Sequence, residues 1–255
     1  MGKLITITSG KGGVGKTTTA INLASAINFF GKEVIIVDAN LFTPNIGLYL
    51  GAPIVPISLN HVLNGKAEIE EAIYQHESGT KIIPSSLSIG ELKKINHKKL
   101  NDLGRKLRKM ADYIIYDSAA GLGEESIAAL ESADELIIVT NPEIPAVTDA
   151  LKTYKLAEQM NKHVKGVIVT RYKNSKTEMP ISNIRDMLEL PILGVIPEEK
   201  RVQSALIQKE ALIHAFPRCK ASIEYKRIAA KIIGHEGYNE KASLFNKWFG
   251  YRHSR

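Results

Sequence analysis

A single cysteine, Cys219, in 255 residues excludes an internal disulfide framework. With no second thiol near it, a zinc or iron–sulfur centre held within the chain is also disfavoured, and Cys219 is expected to be a buried apolar residue. No run approaches the ~18 consecutive apolar residues of a membrane-spanning helix. The chain enters a strand-like segment at once, so no signal peptide is expected and an intracellular setting is implied. Internal repeats and low-complexity tracts are missing as well. Aromatic residues make up only 6%, and the one tryptophan, Trp248, falls near the C-terminal end. Acidic residues are outnumbered 27 to 34, and the net charge of +7 permits attraction to nucleic acid or an anionic lipid leaflet without choosing between them.

What is present is an alternation. Short β-branched runs (4–8, 33–37, 81–83, 113–116, 136–140, 164–170 and 192–196) are separated by helix-length stretches near 18–30, 90–110, 124–132, 146–161, 181–190 and 220–233. That pattern predicts βαβ units in an α/β fold with a mainly parallel sheet. The runs lack polar alternation, as strands do when helices cover both faces. Gly31 and Gly234 are placed to stop the first and last helices. A domain over 1–234, a linker over 235–240 and a tail over 241–255 follow from the shift in composition.

The first strand-like run leads into Ser9-Gly10-Lys11-Gly12-Gly13-Val14-Gly15-Lys16-Thr17-Thr18. Residues 10–17 satisfy G-x-x-x-x-G-K-[ST], the pattern of a phosphate cradle. Glycines let successive backbone N–H groups turn inward, Lys16 suits β- and γ-phosphates, and the Thr17 hydroxyl suits Mg²⁺. A helix-like run follows, so its N-terminus faces the anion.

Lys11 is the unusual residue, since one subunit can hold phosphates without it. Here the chain resembles the deviant Walker A family, K-G-G-x-G-K-T, which includes MinD-like and ParA-like ATPases. The resemblance extends over roughly residues 3 to 250 and is nearest to MinD-like P-loop ATPases. It implies that Lys11 acts in trans in an ATP-bound homodimer and that the cofactors are ATP and Mg²⁺.

Asp38, just beyond a strand-like run, suits a water-mediated Mg²⁺ contact, although such a residue also reads as a plain strand end. The family usually carries a second Asp two residues on; here that position is Asn40, which can orient water but cannot take a proton, so slow hydrolysis is expected. Asp117 closes an apolar run and resembles the family's D-x-P-A-G segment, with Ala119 in place of proline; this implies a role at Mg²⁺, whereas by itself it reads as a strand end. Thr140-Asn141-Pro142-Glu143 resembles the T-N-P-E of MinD proteins. By that likeness Asn141, Thr170, Arg171 and the Ile196-Pro197-Glu198 turn contribute to nucleotide binding, all but Asn141 near adenine.

Residues 91–110 carry eight basic residues on a helical pattern whose Leu92, Ile95, Leu103, Leu107 and Met110 suit a core face. The basic side is either a solvated face or a dock for DNA phosphate or acidic lipid. In the tail, Leu244, Phe245, Trp248 and Phe249 fall within an arc of about 140° on a helix. Lys241, Lys247, Arg252 and Arg255 flank them, the composition of an interfacial helix, and the tail resembles the membrane-targeting helix of MinD. Folding back on the core or filling a partner groove is the alternative. One such tail binds weakly, whereas two on a dimer gain avidity of ~10²–10⁴.

Together these features predict an ATPase acting as a dimerising switch, cytoplasmic and peripheral at the inner face of the cell membrane, with unidentified protein partners. A ParA-like DNA-partition ATPase and a slow ATP-gated scaffold are the alternatives.

Overall fold

The computed structural model describes residues 1–92, 96–235 and 238. The tail, with Leu244, Phe245, Trp248 and Phe249, lies outside the described residues, as does Ile95.

In chain order the elements are β1 (Lys3–Ser9), α1 (Lys16–Phe29), β2 (Val34–Ala39), α2 (Ile46–Tyr49), α3 (Leu59–Leu63), a 3-10 turn (Ile69–Ala72), β3 (Tyr74–Gln75), β4 (Lys81–Ile83), α4 (Ile89–Leu92) and α5 (Lys99–Leu107). Then come β5 (Tyr113–Ala120), α6 (Glu124–Ser132), β6 (Glu135–Thr140), α7 (Ile144–Gln159), β7 (Val164–Tyr172), α8 (Ile181–Leu188), β8 (Ile192–Pro197), α9 (Arg201–Ile207), α10 (Leu212–Ala215) and α11 (Lys220–Ile232).

Among the described residues the strands form one sheet in the order β3-β4-β2-β5-β1-β6-β7-β8. Every neighbouring pair is parallel except β3 with β4. The fold is therefore the expected α/β one. Side chains alternate between two cores: Ile5, Ile7, Ile36, Ile115 and Ile137 face one, while Leu4, Ile35, Val37, Ile114 and Ile138 face the other. Burial on both faces removes any polar alternation, which is why these strands read as continuous apolar runs.

Two helices depart from the sequence pattern. The helix expected over 90–110 is broken at 96–98, which are not helical, and α5 starts afresh from a turn in which the amides of Lys99 and Leu100 bond to the carbonyls of Asn96 and His97. Burial explains the restart, because Leu100, Leu103 and Leu107 make a stripe that α5 lays on the sheet, whereas Asn96 and Lys98 are exposed. Nor is α1 amphipathic. Residues 19 to 27 are all buried, since the helix lies between the sheet and α11, and Ala20, Ala24, Ser25 and Ala26 admit that close approach. Cys219 is buried, as expected, and caps α11 through Sγ, which accepts from the Ser222 amide.

Candidate functional site

Parallel strands bring the loops after β1, β2, β5, β6, β7 and β8 to one edge of the sheet, at their carboxyl ends, where such sheets hold ligands. The loop after β1 is the predicted cradle. Gly10 is demanded by a close approach: a Cβ there would stand 2.2 Å from the Asp149 carbonyl oxygen of α7. Gly15 has φ +91, a left-handed conformation that opens α1 directly onto the loop. On the other side, nothing lies within 4 Å of a Cβ at Gly12 or Gly13. The cradle is thus pinned from behind and open in front.

Lys16 is buried, which lowers its pKa, while Asp117 and Glu125 hold part of its charge. Register pairs Asp38 of β2 with Asp117 of β5, so two fully buried carboxylates sit side by side. Burial first, and then the neighbouring Asp117, push Asp38 well above the usual carboxylate range, against the amides of Ile46, Asn45 and Asn40. Asp117 is pushed up to about 6 by burial, with Lys16 and the Thr17 hydroxyl pulling down. Asp38 Oδ2 accepts from the amides of Asn45 (2.8 Å) and Ile46 (2.9 Å). Its Oδ1 and both oxygens of Asp117 complete no hydrogen bond of full geometry, the Thr17 hydroxyl only drawing on Asp117 from beside it. Three buried, unpartnered carboxylate oxygens beside a threonine hydroxyl and a lysine are hard oxygen donors whose mutual repulsion a divalent cation would relieve. The residues therefore fit Mg²⁺ and a polyphosphate.

Asn40 is nearly buried and turned onto its own loop. Its Nδ2 donates to the Thr43 carbonyl at 2.6 Å, and its Oδ1 accepts from the Thr43 hydroxyl at 2.9 Å. Lys11 is half exposed and stands 3.9 Å from Glu143 of the T-N-P-E loop, an ion pair of little strength.

Beside the cradle lies a cleft of ≈ 270 Å³, lined by Gly15 and Thr18 together with Thr170, Arg171, Pro197 and Glu198. The last four were expected around a base, and the fold brings them together. Asn141 supports rather than lines: its Oδ1 lies 2.9 Å from the Thr170 hydroxyl, which also bonds the Val14 carbonyl at 2.6 Å and so ties β7 to the cradle. Ile196, from the same expected turn, also lines the cleft, while sequence reasoning missed Glu199, Lys200, Val202 and Gln203 on the way into and along α9 and Tyr225 of α11. It also missed Glu125, whose Oε2 accepts from the Leu41 amide at 3.0 Å. An acidic residue in the first turn after the Asp117 loop was the available signal.

The family model for an AAA domain matches residues 2–170. An uncharacterised ATP-binding protein of Methanocaldococcus jannaschii is 39% identical over 230 residues, covering 90% of this chain and 87% of that one. The septum site-determining protein MinD of Neisseria meningitidis is 34% identical over 274 residues, covering 98% and 100%. Among solved structures, the septum site-determining protein MinD complexed with Mg-ADP from Pyrococcus horikoshii superposes with a TM-score of 0.88 at 32% identity, covering 93% of this chain and 98% of that one. With a cradle, a paired-carboxylate corner and a parallel sheet of this kind, the chain belongs to the MinD/ParA family of P-loop ATPases.

Proposed function

We propose that the protein binds ATP with Mg²⁺, closes into a homodimer while ATP is held, hydrolyses it to ADP and phosphate, and in the closed state engages an anionic membrane surface from the cytoplasmic side and recruits partner proteins there. The observation that carries this reading is the cluster of Lys16, Thr17, Asp38 and Asp117, with three unpartnered carboxylate oxygens, at the mouth of the cradle. When bound, Mg²⁺ would draw charge from the phosphate oxygens. Lys16 and the amides of residues 12–17 would hold the phosphates, and Thr17, Asp38 and Asp117 would hold the cation. Lys11 releases its weak pairing with Glu143 and stabilises charge across the dimer. Thr170, Arg171, Pro197 and Glu198 surround the base, with Asn141 bracing Thr170.

The membrane step rests on the composition of residues 241–255, and liposome co-sedimentation tests it. The truncation point matters, since Phe30 stacks with His235 and Tyr238 at centroid distances of 5.4 and 4.9 Å. Full-length protein is expected to pellet with anionic vesicles in ATP but not ADP, and a chain ending at Tyr238 to stay in solution. Equal pelleting by both refutes the tail's role.

A slow ATP-gated scaffold is a second reading, favoured by the engagement of both ends of the Asn40 amide with Thr43. Asn40→Asp should raise the single-turnover rate of hydrolysis; no gain sinks the idea that Asn40 slows the reaction. The ParA-like alternative is weaker. Arg105, Lys106 and Arg108 of the basic segment pair with Asp102, Glu68 and Asp134, which leaves less charge for DNA phosphate.

A further inference from the structure

Glu125 belongs to none of the motifs described above, yet it joins the loop after β2 to the start of α6 beside the phosphate side of the site. It stands in the first turn of α6, just after the Asp117 loop, where a carboxylate is favoured by the helix dipole. From there its Oε2 reaches the Leu41 amide, 84 positions away in the chain. The Phe42 amide also points to it, and its charge faces Lys16. Leu41 directly follows Asn40, whose amide is locked to Thr43, and the same loop ends on the Asn45 and Ile46 amides that hold Asp38. The segment between β2 and α2 is thus fastened at its far end to Asp38 and at its near end to the start of α6 through Glu125. Burial raises the Glu125 carboxyl and the two amides lower it, so it is a semi-buried acceptor with a defined job rather than a solvated surface acid.

We propose that Glu125 is a positioning residue for hydrolysis: by clamping the Leu41 amide it fixes the Asn40 loop against α6, so that the Asn40 amide, once released from Thr43, meets the phosphate face from a set place. This rests on the ATPase reading above. The clamp has a particular use in this chain. Asn40 has only orientation to offer the attacking water, and orientation is lost when the loop wanders, with rate penalties of up to about 10²-fold for a displacement near 1 Å.

Two readouts on full-length protein test it. Hydrogen exchange without nucleotide should show the Leu41 amide exchanging at least about tenfold faster in Glu125→Ala, and near wild type in Glu125→Gln, whose amide oxygen still accepts. Unchanged exchange in Glu125→Ala overturns the clamp whether or not the protein hydrolyses ATP. Under Mg-ATP, Glu125→Ala should lose about 10- to 100-fold in kcat with KM little changed, and Glu125→Gln should recover most of it. Because the effect runs through Asn40, Glu125→Ala combined with Asn40→Ala should be no slower than Asn40→Ala alone. An unchanged kcat, additive losses, or a Glu125→Gln variant as slow as Glu125→Ala overturns the positioning role. If wild type shows no turnover, the hydrolytic reading and the catalytic consequence fail together, and exchange still decides whether the clamp exists.

Discussion

Asp38 and Asp117 face each other across adjacent strands, and their burial together is a cost that the fold carries at neutral pH. A carboxylate whose pKa is raised on folding contributes no cost where it is protonated in both states, below about pH 4. The cost grows as pH climbs toward about 6, the Asp117 value, and persists above it. Asp117→Asn in EDTA is therefore expected to melt several degrees above wild type at pH 7.5, at about 2–4 °C per kcal/mol for a chain of this size, with the gap closing by about pH 4. Mg-ATP should raise the melting temperature of wild type and not of the variant. Equal melting at pH 7.5 would show that the carboxylate pair carries no such strain. The motif residues themselves were legible in sequence because glycine, lysine and hydroxyl at fixed spacing have a local reason to be there. Glu125 was not, because its partner, the Leu41 amide, is local only in three dimensions.

At the scale of elements, the strands were readable because two apolar cores leave no polar face to interrupt them. The break at 96–98 was less readable, since the basic residues around it continue a helical composition while burial switches to Leu100, Leu103 and Leu107. Helix α9, 7 residues long, is too short for periodicity to announce, yet it supplies Val202 and Gln203 to the cleft. The strand β7 and the cradle are joined by one hydroxyl, that of Thr170 on the Val14 carbonyl. Thr170→Val keeps the shape and removes the bond, leaving a buried acceptor unsatisfied at about 1–3 kcal/mol. Differential scanning fluorimetry should register that loss, and nucleotide titration should show weaker binding; an unchanged melting point would mean the Val14 carbonyl finds another donor.

Across the whole molecule, the edge opposite the site is held by ion pairs that work in the contrary direction to the Asp38–Asp117 pair. Burial tends to raise Asp134 and Glu135, but Arg108 overcomes this for Asp134, and Lys3 with Lys165 for Glu135, so both lie below the ordinary range. Arg108 grips Asp134 at 2.8 Å, and Lys3 and Lys165 reach Glu135 at 2.9 and 3.1 Å. Depressed carboxylates contribute stability that is present above their unfolded pKa and lost as pH falls through the lowered value. Arg108→Met should thus melt below wild type at pH 7, with the difference shrinking below about pH 4. A difference that is constant with pH would assign the effect to lost packing of the Arg108 stem instead.

The structure sets Asp38 and Asp117 inside β2 and β5, not at strand ends as their sequence suggested. Sequence alone determined the α/β alternation, the G-x-x-x-x-G-K-T pattern over 10–17 and the absence of a second thiol. Each is set by neighbours in the chain or by simple periodicity. Tertiary structure decided the rest: that register pairs Asp38 with Asp117 and leaves three oxygens unpartnered, that α9 and α11 close the cleft, and that Glu125 fastens the Asn40 loop. Those relations join residues far apart in sequence, and they exist only once packing of the two cores has set which strand lies beside which.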